Sequence, residues 1–185
     1  RVFVARQPIF NRKEQVVAYE LLYRESEKNV FSGTDGDQAT AELMINSFLN
    51  IGIDKLTEGK RYYVNFTAGL LESRMPTYFD PDQLVIEILE DVPITRSLIE
   101  RCRQLKRLGY MIALDDFCLK HRGHQELLHQ LLKYIDILKV DFFKTTQAER
   151  QSILHSCRPY GLTFLAEKVE TRKEYEQAAA DGFHL

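Results

Sequence analysis

Along most of this chain, short runs of four to six largely apolar residues alternate with longer stretches whose apolar positions fall at helical spacing. The runs are RYYVN ending on Asn65, LVIE on Glu87, MIALDD on Asp115 and Asp116, IDILK on Lys139, and TFLAE on Glu167. Runs of that length read as buried strands, and their alternation with helix-like stretches predicts a parallel α/β arrangement. The pattern places strands over Arg61 to Phe66, Leu84 to Leu89, Tyr110 to Asp115, Ile135 to Val140 and Leu162 to Ala166. Between and after them it predicts helices over Ile94 to Leu108, His124 to Lys133, Thr146 to Cys157 and Arg172 to Ala180. Gly109 supplies the stop for the first of these helices.

The opening of the chain reads differently. Val2 to Ala5 is a short strand closed by Gln7-Pro8, and the turn Asn11-Arg12-Lys13 leads into a second strand over Gln15 to Tyr23, so the start predicts a hairpin. Asp37 is the expected N-cap of a helix running to about Leu49, with Ala41, Met44, Ile45 and Phe48 on its apolar face. A brief helical turn is expected near Leu70, and Phe183 to Leu185 would open an eighth strand. The sum is an α/β chain of the modified TIM (β/α)8 barrel type with an unusual start and its last strand and helix truncated. It forms one domain over 1–185, incomplete at its C-terminus.

Composition narrows the function. Basic and acidic residues number 25 and 27, a formal charge of −2, which argues against a binder of nucleic-acid polymers, since these carry a basic face. A small anionic ligand remains compatible with a local positive pocket. Cys102, Cys118 and Cys157 are odd in number and lack CxxC spacing, which excludes a disulfide framework or zinc ribbon and fits a cytoplasmic protein. No apolar stretch approaches the ~20 residues of a membrane span.

Chemistry gathers where the strands end. Glu20, Asn65, Glu87, Asp115, Asp116 and Glu167 all fall at or near strand ends, and parallel strands of a barrel bring their C-terminal ends to one face. Hard oxygen donors at that density select Mg²⁺ or Mn²⁺ over zinc. Two adjacent aspartates reach two ions, the arrangement used for phosphodiester displacement. Lys139 would orient or polarise the attacking water, or balance the crowded negative charge. Arg24 shares a strand face with Glu20 and suits a phosphate oxygen, although Glu25 and Glu27 offer it surface partners instead. Any one acid of the set reads equally well as a helix cap. Six together would repel one another without a cation. His121, His124 and His129 lie in a polar loop and helix start at no tight-site spacing, and Cys102 and Cys157 fit apolar helix positions as core residues. A lyase or aldolase using Lys139 as a Schiff-base nucleophile is the rival chemistry.

These residues resemble the EAL domain family, bacterial phosphodiesterases of cyclic di-GMP, over essentially the whole chain. Gln7-Pro8-Ile9 looks like the family's opening QPI, and Glu20-Leu21-Leu22-Tyr23-Arg24 like its signature, with Leu21 where Ala or Val is usual. Asn65 falls in a segment similar to the asparagine strand, Glu87 to Glu90 resembles ExxE, and Asp115-Asp116 the paired-aspartate motif. Leu138 to Asp141 and Ala166 to Glu170 resemble LKxD and AEGVE. The resemblance implies a modified barrel with an antiparallel first strand. It implies one Mg²⁺ or Mn²⁺ on Glu20, Asn65, Glu87 and Asp115, and a second on Asp116 and Glu167. It further implies a catalytic set of Lys139, Glu20 and Glu167, with Lys139 holding the nucleophilic water. Arg24 and Gln7 would contact the cyclic dinucleotide, and Glu170 would hold the loop of Asp115 and Asp116. The product would be the linear dinucleotide; a receptor without turnover, or a protein-interaction scaffold, is the alternative. Cys118 and the following LKHRGHQELL depart from the family's Gly- and Ser-rich loop, which shapes the second-metal site and a homodimer contact, and Lys168 replaces the glycine of AEGVE. The segment YELLYR resembles the branch that carries a downstream HDOD domain.

Overall fold

The structure, a computed structural model, describes residues 3–24, 52–115 and 125–185. The expected helix from Asp37 to about Leu49, most of the Cys118 to Leu128 loop, and Asp116 lie outside the described residues. Seven strands form one sheet in chain order: β1 (Phe3–Phe10), β2 (Val16–Arg24), β3 (Arg61–Phe66), β4 (Leu84–Ile88), β5 (Met111–Leu114), β6 (Ile137–Asp141) and β7 (Thr163–Glu167). β1 pairs antiparallel with β2, and every later pair is parallel. The expected modified barrel is therefore borne out as a curled, mixed sheet with an antiparallel first strand, a TIM-like half-barrel.

The helices are α1 (Ile53–Thr57), α2 (Ala68–Glu72), α3 (Arg96–Arg107), α4 (Gln125–Leu132), α5 (Gln147–Cys157) and α6 (Arg172–Asp181). Their starts follow from capping chemistry. Thr95, Thr146 and Thr171 each accept a backbone N–H three residues on, and Glu149 and Glu174 complete capping boxes at α5 and α6. On α3, Leu98, Ile99, Cys102 and Leu105 are buried at helical spacing, and Gly109 turns the chain into β5 with a left-handed φ of 94°.

Two apolar clusters divide the sheet's faces. The larger joins strand residues such as Val64, Ile86, Ile112 and Leu138 to helix residues such as Cys102, Leu105, Leu131 and Cys157. The smaller holds Ile9, Ala18, Tyr63, Val85, Ala113, Ile137 and Leu165, one from each strand, and lines the inner face. Strand alternation sorts the two sets. On β4, Leu84, Ile86 and Ile88 face the helices while Val85 faces inward, so all five positions of the strand are buried.

Two expectations need correction. β1 does not stop at Gln7-Pro8 but runs on to Phe10, with Pro8 opposite Tyr19. A proline is tolerated there because β1 lies at the edge of the sheet, where its missing N–H leaves no ladder bond unmade. Phe183 to Leu185 lies beside β7 through His184 N–H to Phe164 O (2.9 Å) and Ala166 N–H to Leu185 O (2.9 Å), without becoming a regular strand.

Candidate metal centre

Each parallel strand carries a polar residue two positions beyond its member of the inner cluster. The pairs are Ala18 and Glu20, Tyr63 and Asn65, Val85 and Glu87, Ala113 and Asp115, Ile137 and Lys139, and Leu165 and Glu167. Two residues along a strand return to the same face, so the six polar side chains stand above the apolar layer on the inner face. β1 runs the other way and contributes Gln7 two positions before Ile9, cross-strand from Glu20 and exposed. Asn65 is level with Glu87, and the Asp115 N–H donates to Ile88 O at 2.9 Å, which carries the β4–β5 pairing one residue past the strand.

Lys139 lies at the centre of the group, only 1% exposed. Its Nζ is 2.7 Å from Glu167 Oε1, 3.3 Å from Asp115 Oδ1 and 3.5 Å from Glu20 Oε2, and it donates to Glu87 Oε1. Four carboxylates thus share one ammonium. Burial works against the charged amine, but the fields of Glu87, Glu20, Glu167 and Asp115 outweigh it and hold the lysine above its ordinary pKa. Four carboxylates gathered around the amine suit a counter-ion or metal-site role better than the aldolase chemistry. Glu87 is raised well above the usual carboxylate range, first by burial, against the attraction of Lys139 and with added repulsion from Glu20 and Asp115.

One ammonium does not satisfy this ring. Asn65 Oδ1, Glu87 Oε2 and Asp115 Oδ1 are buried and receive no hydrogen bond from a described residue. Buried oxygens without a hydrogen bond are costly, and a cation is one way to satisfy several at once. Glu20, Glu87 and Glu167 each offer an oxygen within 4.8 Å of the others. Oxygens bound to one ion at about 2.0–2.6 Å lie no more than about 5 Å apart, so the spacing fits a shared divalent ion. The donor set is all oxygen, which suits Mg²⁺ or Mn²⁺.

The other expected residues are placed less centrally. Arg24 ends β2 opposite Phe3, and its side chain lies outside the described part of the structure, as does Asp116. Glu170 is exposed in the β7–α6 connection, where its N–H donates to Glu174 Oε2 at 2.9 Å. His129 stacks on Tyr160 with ring centroids 6.1 Å apart, whereas His121 and His124 are outside the described residues. Cys102 and Cys157 are core as expected, and burial pushes their thiols up to about 12 and about 11. Asp141 was missed as more than a motif letter. It is buried at the end of β6, and its Oδ1 accepts the N–H groups of Phe143 (2.7 Å) and Lys144 (3.2 Å).

An acid-lined inner rim on a curled sheet with an antiparallel first strand defines a TIM-like half-barrel of the EAL type. Residues 32–185 match the EAL domain family, and the chain belongs to it. It is 69% identical over its full length to YuxH, an uncharacterized protein of Bacillus subtilis (strain 168), covering 45% of that protein. It is 37% identical over 98% of its length to the cyclic di-GMP phosphodiesterase CdgJ of Vibrio cholerae serotype O1, covering 41% of it. The chain therefore spans less than half of these curated relatives. The Bacillus subtilis YkuI protein, solved with substrate c-di-GMP and calcium, matches 99% of this chain and 52% of its own at a TM-score of 0.77 and 20% identity, a likeness of fold. Among the described residues no helix is long and apolar enough to cross a membrane.

Proposed function

We propose that this chain hydrolyses cyclic di-GMP to the linear dinucleotide with two divalent ions, Mg²⁺ or Mn²⁺. The observation that carries the reading is the ring of four carboxylates around Lys139, in which Asn65 Oδ1, Glu87 Oε2 and Asp115 Oδ1 are buried without a hydrogen bond from a described residue. Glu20, Asn65, Glu87 and Asp115 are the donors for one ion, and Glu167 with Asp116 for the other. When bound, the ions supply positive charge that acidifies water and offsets charge on the phosphodiester.

The chain's own groups do the rest. Lys139, held charged by its neighbours, orients the attacking water and balances the negative charge that builds on the phosphate oxygens. Glu20 and Glu167 flank it and fix its position. Gln7 is exposed beside Glu20, open to a ligand on the same rim, and Arg24 at the end of β2 takes a phosphate oxygen. Glu170 steadies the loop that follows Asp115. The family and the likeness to CdgJ support the substrate. YELLYR supports a downstream HDOD domain, with 1–185 as one EAL-type unit of the longer protein.

Incubation with cyclic di-GMP and Mn²⁺ or Mg²⁺, followed by chromatography, tests the proposal. Linear dinucleotide formed by the wild type and lost in Glu20→Ala is the expected result. Binding without product would assign a receptor instead, the reading favoured by Cys118 and its unusual loop sequence. Neither binding nor turnover would leave a protein-interaction scaffold.

A further inference from the structure

Strands β6 and β7 are tied by two ion pairs of opposite sense, of which only one belongs to the acid ring. In the first, Lys139 of β6 reaches Glu167 of β7. In the second, Asp141, two residues further along β6 and on the same face, accepts a hydrogen bond from the ammonium of Lys168, the residue after Glu167. Asp141 is 2% exposed, and its other oxygen already closes the β6–α5 loop on the Phe143 and Lys144 amides. The backbone is joined at the same level. Asp141 is in register with Glu167, and the Phe142 N–H donates to Glu167 O at 3.1 Å.

Lys168 has a left-handed backbone, φ 56°, which a residue with a side chain adopts reluctantly. Such a conformation persists where surrounding contacts fix it. Here the contact is the Asp141 carboxylate, which holds the Lys168 side chain, while the next residue's N–H, that of Phe142, holds the Glu167 carbonyl. The same pair gives buried Asp141 a counter-charge of its own, so Lys139 is left to the acid ring.

We propose that Lys168 is a positioning residue: through Asp141 it fixes the turn that ends β7 and so keeps Glu167 aimed at Lys139 and the metal site. The proposal rests on the functional reading above, but its test separates the two.

Lys168→Met, Lys168→Gly and Lys168→Arg are compared with the wild-type full chain. Hydrogen exchange at the Phe142 and Phe143 amides reads the tie without metal or substrate. Loss of one charge-assisted bond should speed it by about tenfold in the Met and Gly variants, with Arg restoring part of the protection. Mn²⁺ titrations of the same variants should weaken by a similar factor, and kcat for cyclic di-GMP should fall with KM little changed. Lys168→Gly cannot fail through backbone strain, because glycine accepts a left-handed φ. If it matches the wild type in exchange and in Mn²⁺ affinity, the turn holds itself and the proposal is overturned. A wild type that binds no Mn²⁺ would remove the metal reading, and the exchange data would still decide whether the tie exists.

Discussion

The two ends of this sheet treat charge in opposite ways. At the start of β6, Asp136 receives Lys106 Nζ at 2.7 Å on both oxygens and the Ile112 N–H at 2.8 Å. Nearby, the Tyr110 hydroxyl donates to Phe79 O at 2.7 Å. One acid there meets one base, and the polar hydrogens find acceptors. At the other end, four carboxylates meet one ammonium, and three buried oxygens are left without a hydrogen bond from a described residue. The same strands carry both ends, so the contrast is not one of fold quality. A balanced lower rim fits a role in stability, and a crowded upper rim fits the metal site proposed above.

Removing the ammonium at the centre of the acid ring should break the contrast most severely. Lys139→Met takes from Glu20, Glu87, Asp115 and Glu167 the ammonium that they share. Loss of one member of a buried ionic group costs about 3–5 kcal/mol. Urea unfolding in the presence of a chelator should show a drop of that size, and added Mn²⁺ should recover much of it. Unchanged stability in the chelator would mean that the acids do not depend on the lysine. Next in size is Glu20→Ala, where turnover should fall beyond the roughly 10–100-fold that loss of a supporting partner costs at metal sites. Its unfolding free energy should stay close to wild type, since one of the crowded negative charges has gone. A kinetic assay at saturating Mn²⁺ beside a melting curve separates the two effects.

The lower rim should respond in the opposite way. Asp136→Ala strands the Ile112 N–H and the Lys106 ammonium together, which should lower stability by about 1–3 kcal/mol. Specific activity per folded molecule should not change. A variant that kept its stability and lost turnover would show that the two rims are not separable.

How much of this could be read in advance depended on how far apart in sequence the partners lie. The strand-end acids were legible because charge at the close of an apolar run is a local signal, and Glu87 or Glu167 stands out within five residues. Cys102 and Cys157 were legible for the same reason, from their helical spacing. The centring of Lys139 among the acids was not. Its contact with Glu20 spans 119 positions and depends on the registers of the strands between them. Gln7-Pro8 misled, because proline reads as a strand end and only the sheet order shows that β1 is an edge. Lys168 read as a departure from a glycine, and its left-handed turn and its bond to Asp141 are tertiary facts with no local signature.

The smallest expected effect gives the sharpest test of the comparison. Lys106 and Asp136 are each about a third exposed, with side-chain exposures of 31% and 27%. Water screens such a pair, so its loss is worth no more than about 1 kcal/mol. Lys106→Met removes the ammonium but leaves the Asp136 carboxylate on the Ile112 amide, and it keeps most of the side chain's apolar length. Urea unfolding should therefore shift by less than in Asp136→Ala, and the Mn²⁺ response and turnover should match the wild type. The difference between these two variants isolates the amide bond from the ion pair. If Lys106→Met instead weakens the Mn²⁺ response while stability holds, charge at the bottom of the sheet is felt at the top. The division of labour between the rims would then be wrong, whatever Lys139→Met and Glu20→Ala had shown.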